Sequence, residues 1–127
     1  MAALGLATAG CSSDLHPGSG VVRFTDGEPV RAGSVELRPL DGGDRYASRI
    51  AKDGGFTLQD TSGRPGTPPG EYEAVVVLVV QTEDLAKELH THGRDVPRRY
   101  ADYYTSGLRV KVESAESPPI ELVLEAR

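Results

Sequence analysis

The chain has 127 residues, enough for one domain with one substantial core. Fourteen basic residues against nineteen acidic ones give a net charge of −5, which argues against nucleic acid or an anionic membrane surface as the main partner. Fifteen glycines and nine prolines, with no tryptophan, fit many turns between short Val-rich runs.

Cys11 is the only cysteine, which excludes an intramolecular disulfide framework or a Cys-cluster metal site. It stands in "LATAGC", Leu6 to Cys11, where small residues precede a cysteine that Ser12 and Ser13 follow. This stretch resembles a bacterial lipobox, and the resemblance implies that Cys11 is the lipidated first residue of the mature protein. Residues 1–10 then read as the end of a signal peptide that begins upstream of Met1. Ser12 lacks the acidic residue that retains such lipoproteins at an inner membrane, so the resemblance points to the outer membrane where the source has one. Residues 11–19, Cys11 and "SSDLHPGS", read as a polar tether broken by Pro17 and Gly18. Its eight residues after Cys11 reach at most about 26 Å. His16 falls within it and has no expected role.

The domain proper is expected over residues 20–127. Val22 and Phe24 share one face and Arg23 and Thr25 the other, the period-two pattern of a half-buried strand. "TDGEPVRAG" is a turn-rich connection, after which Val35 and Leu37 alternate with Glu36 and Arg38. Tyr46, Ser48 and Ile50 form one face of a third strand, and Phe56 and Leu58 one face of a fourth. Asp53-Gly54-Gly55 between them is a hairpin signal. Pro68-Pro69-Gly70 then feeds Glu71 to Val80, whose seven apolar residues from Ala74 predict a strand buried on both faces at mid-sheet. A membrane span would need about 20 such residues.

Residues 82–104 break the pattern. Thr82 is a helix N-cap with Glu83 and Asp84 in the first turn, and Leu85 and Leu89 share a face, so a two-turn helix is expected there. Pro97 opens another turn or 3-10 segment carrying Tyr100, Tyr103 and Tyr104. Leu108, Val110 and Val112 resume the alternation, and Ile120, Leu122 and Leu124 complete it. The expected fold is all-β, a seven-stranded sandwich with a short helical insertion. Its expected core comprises Val22, Phe24, Val35, Leu37, Phe56, Leu58, Val77, Val110 and Leu122.

"GVVRFTDGEPVRAGSVELRP", "DGGFTL" and "PPGEYEAVVVL" together resemble the carboxypeptidase regulatory-like, transthyretin-like β-sandwich domain, in the form carried by small bacterial envelope lipoproteins. The resemblance covers roughly residues 19–126. It implies an Ig-like fold, a tyrosine (Tyr72) packed on the core after the Pro-Gly turn, and a non-catalytic binding or scaffolding role. It also implies a place at the cell envelope, with the membrane reached through Cys11 and an envelope protein or carbohydrate as ligand.

No pattern calls for a cofactor or for catalysis. There is no G-x-S-x-G elbow, P-loop or H-E-x-x-H motif. His90 and His92 form the one close histidine pair, but at i, i+2 near a helix end they share no face and no further ligand is marked, so they are weak metal candidates. Asp41, Asp44, Asp53 and Asp60 lack a calcium-loop spacing and fit tight turns. Arg98, Arg99, Tyr100, Tyr103 and Tyr104 form the densest aromatic-cationic cluster and are the candidate recognition patch. Two other readings stand beside the binding module. One is a transthyretin-like hydrolase of a purine-degradation intermediate of the 5-hydroxyisourate type, the other a metal-carrying module using His90 and His92. The ending "VLEAR" lacks the Tyr-Arg-Gly-Ser-like tail of that hydrolase family.

Overall fold

The computed structural model describes residues 15–78 and 94–127. The expected helix over 82–92, the last residues of the apolar run, His90, His92 and Cys11 lie outside them.

The described residues form β1 (Ser19–Phe24), β2 (Ser34–Pro39), β3 (Tyr46–Arg49), β4 (Gly55–Thr57), β5 (Gly70–Val77), β6 (Leu108–Val112) and β7 (Ile120–Leu124), with a 3-10 turn at Arg98–Ala101. The fold is all-β, in two sheets ordered β4-β1-β7 and β3-β2-β5-β6. Neighbours run antiparallel except β1 and β7, which pair in parallel from Gly20↔Ile120 to Phe24↔Leu124. A parallel pair cannot be closed by a tight turn, so the whole four-stranded sheet intervenes between its members in the chain.

The two sheets share one core. Val22, Phe24, Phe56, Leu122 and Leu124 come from the three-stranded sheet and its flank, and Val35, Leu37, Tyr72, Ala74, Val76 and Val112 from the four-stranded one. The period-two faces produce this directly, because successive side chains on a strand point to opposite sides. Tyr72 is 2% exposed, as the resemblance implies.

Val77 departs from expectation. It is only half-buried, whereas Val76 is 1% exposed and belongs to the core. A uniformly apolar run carries no phase, so the partner strand must supply one. The register sets Val76 opposite Val35 and Ala74 opposite Leu37, both core residues, and directly opposed residues share a face. Val75 is 4% exposed on the other face, so β5 is indeed covered on both sides over its middle, and it lies between β2 and β6.

The Asp53-Gly54-Gly55 hairpin also resolves differently. The turn forms: Gly54 N–H donates to Ala51 O at 2.8 Å, and the Asp53 carboxylate accepts Gly55 N–H at 2.9 Å. Gly54 has φ +86°, and a Cβ there would stand 2.6 Å from Val22 O, so glycine is required twice over. Yet β3 pairs with β2 and β4 with β1, so the turn carries the chain from one sheet to the other. Ala47 and Gln59 still exchange backbone bonds at 3.0 Å and stitch the two sheets along that side. At Gly20 a side chain would collide with the Ile120 backbone and the Phe56 ring, so the missing Cβ is what lets the three-stranded sheet draw together.

Residues 16–18 belong to the fold, not to a tether. His16 is 1% exposed. Its N–H and C=O pair with Thr67 at 2.9 Å each. Ring Nδ1 accepts Gly18 N–H at 2.9 Å, so Nε2 carries the hydrogen, donating to Ser117 O at 3.1 Å and Pro118 O at 3.0 Å. One imidazole thereby fastens the start of the chain to the approach of β5 and the approach of β7.

Candidate binding surfaces

The five residues of the sequence-derived recognition patch do not form one surface. Tyr100 lies in the 3-10 turn and is 4% exposed, within the core cluster. Its hydroxyl accepts from Glu125 N–H and from Arg99, each at 2.8 Å, and Arg99 also reaches the Glu125 carboxylate at 3.0 Å. Arg99 and Tyr100 thus lock the turn onto the end of β7. Tyr103 lies on the outer face of the four-stranded sheet and donates to the Glu36 carboxylate at 2.9 Å. The Arg38 guanidinium sits 4.0 Å from the centre of its ring and is itself held by Glu73 at 2.6 Å. Burial, then the bond to Glu36, pushes the Tyr103 hydroxyl well above its ordinary range. Of the five, only Arg98 and Tyr104 remain exposed, Tyr104 at 94%. Amphipathic tyrosines serve a core or a surface equally well, and here two of three serve packing.

The acidic turns divide as well. Asp53 caps its own turn, and Asp60 accepts Ser62 N–H, Ser62 Oγ and Arg64 N–H, which hold its carboxyl down at about 2. No three His, Cys, Asp or Glu side chains among the described residues are placed to hold a metal ion.

Asp41 and Asp44 do something else. The loop from Pro39 to Asp44, leaving β2, and the segment Pro68–Tyr72, entering β5, face each other across a cleft of about 570 Å³. The β2–β5 register brings them together, since Pro39 lies opposite Tyr72 and Leu40 N–H donates to Glu71 O at 3.0 Å. Tyr46 and Tyr72 form its aromatic wall, edge to face with centroids 6.0 Å apart. The Tyr72 hydroxyl donates to Pro68 O, which braces the Pro-Pro turn. Burial, with the Tyr46 and Asp41 charges behind it, raises Tyr72 from 10.0 to about 12. Thr67, next to Pro68, pairs with His16, so the cleft and the clasped start of the chain share one end of the molecule. Sequence reasoning read both loops as turns; the Tyr-Pro-Asp composition was visible, but their meeting depends on the long-range register.

The Tyr72 shift has a pH consequence. The neutral phenol is favoured in the fold, so its contribution is fully present below pH 10 and is lost as pH rises through about 12. Tyrosinate absorbance is therefore expected to lag for this residue, as for Tyr103, until alkaline unfolding begins, and Tyr72→Phe removes one part of the lagging component. A titration in which every tyrosine ionises near its ordinary value would contradict the burial of Tyr72.

No protein-family model, curated protein or solved structure matches the chain. No helix among the described residues is long and apolar enough to cross a membrane.

Proposed function

We propose that the chain is a non-catalytic Ig-like, transthyretin-like β-sandwich of the carboxypeptidase regulatory-like type, held at the cell envelope by lipid on Cys11 and acting as a binding module. The observation that carries this reading is the His16 clasp. It fastens the chain into the fold five residues after Cys11, so a lipid there would hold the cleft-bearing end within about 17 Å of the bilayer. So short a span of sequence suits a module that meets its partner near the membrane surface. More than one acyl chain is needed for stable anchoring, as lipoprotein processing supplies.

The non-catalytic part of the reading rests on the resemblance and on the lack of a catalytic motif in the sequence. The metal carrier rests on His90 and His92, which lie outside the described residues.

The test is expression from the full upstream frame, followed by cell fractionation and palmitate labelling with Cys11→Ala as control. The expected result is a labelled protein in the membrane fraction and a soluble, unlabelled variant. An unlabelled, soluble wild type would remove the anchor.

A further inference from the structure

We propose that the cleft between Pro39–Asp44 and Pro68–Tyr72 binds an extended basic segment of a partner protein, taking a lysine or arginine side chain against Tyr46 and between Asp41, Asp44 and Glu71. The inference rests on reading the chain as a binding module, and not on its anchoring.

Charge pairing distinguishes the cleft from the sheet faces. Elsewhere on the sheets the carboxylates are matched: Glu36 with Arg45, Glu73 with Arg38, Glu121 with Arg23, Glu125 with Arg99. Asp41, Asp44 and Glu71 line the cleft and make no ion pair among the described residues. The Tyr46 hydroxyl, on the same wall, makes no hydrogen bond there either. Carboxylates without an ion pair beside an aromatic wall are complementary to an organic cation, most so at Asp41 and Asp44, since Glu71 lies opposite Lys111 in the β5–β6 register. A bare metal ion does not fit, because these carboxylates do not converge on a common point.

The shape favours a chain over a small amine. A second depression of about 210 Å³ shares Leu40, Glu71 and Tyr72 with the cleft and continues to Arg109 and Lys111 on β6. β6 is the edge strand of its sheet, so the groove runs from the acidic cleft past Leu40, 42% exposed, to an open edge. An extended peptide can place a basic side chain in the cleft and lay apolar atoms on Leu40. A small cation would use the cleft alone.

The experiment titrates the full chain with fluorescein-labelled tetralysine at low salt, following anisotropy. Two double variants have the same net charge: Asp41→Asn/Asp44→Asn in the cleft, and Asp26→Asn/Glu125→Gln at the opposite strand ends, after β1 and β7. All four positions are exposed, so both variants are expected to fold. The expected result is saturable binding that falls about tenfold in the cleft variant and stays unchanged in the control. Equal loss in both, or no saturation, overturns the proposal as diffuse attraction to an acidic protein. Displacement of the peptide by ethylammonium at matched charge concentration overturns the peptide assignment in favour of a small amine. None of these outcomes bears on palmitate labelling, so the cleft and the anchor fail separately.

Discussion

Val76→Asp is expected to unfold the domain, whereas Val77→Asp leaves it folded. Val76 is 1% exposed, opposite Val35 in the middle of the four-stranded sheet, and no cation lies in the core cluster to receive a carboxylate. An unpaired charge there costs several kcal/mol, a large share of the roughly 5–15 kcal/mol that holds a domain together. Val77 is half-buried near the end of β5, so an aspartate keeps a route to water and costs about 1 kcal/mol. Urea unfolding followed by circular dichroism separates the two. A larger loss at Val77 than at Val76 would mean that β5 sits one residue out of register, which would turn its entire apolar set over.

His16→Ala is expected to cost about 3 kcal/mol, because it strips the partner from a buried N–H and from two carbonyls and leaves a cavity. The groups left behind are Gly18 N–H, Ser117 O and Pro118 O. His16→Asn keeps an acceptor within reach of Gly18 and recovers part of the loss; it cannot reach both carbonyls. Thermal melts of the three proteins give the order wild type, Asn, Ala. An alanine variant that melts with the wild type would return His16 to a passive linker.

Most strands were legible because alternation is a local signal that burial enforces. β1, β2, β6 and β7 were each readable from two or three apolar residues spaced by two, and all of those residues face or flank the core. What could not be read depended on contacts distant in the chain. His16 bonds to residues 101 and 102 positions away, and nothing in "DLHPGS" distinguishes a buried imidazole from a solvated one. The phase of Ala74 to Val77 was hidden because every residue in the run is apolar. Asp53-Gly54-Gly55 specified a turn correctly, but turn chemistry does not say whether the flanking strands share a sheet. The cleft was invisible for a related reason: "DGGD" and "PPG" each read as a turn, and only the pairing of β2 with β5 sets them face to face.

The proposed function depends above all on whether His16 is fastened into the fold, since that fixes how closely a lipid on Cys11 would hold the cleft. Amide hydrogen exchange in the full chain measures it residue by residue. His16 and Thr67 N–H donate to each other's carbonyls, and Gly18 N–H donates to the His16 ring. The predicted result is protection at His16, Gly18 and Thr67 comparable to that of Val22 and Val76 in the core. Exchange at His16 and Gly18 as fast as an open chain, with Val22 and Val76 protected, would contradict it: the clasp would not exist and the domain would hang on a longer tether.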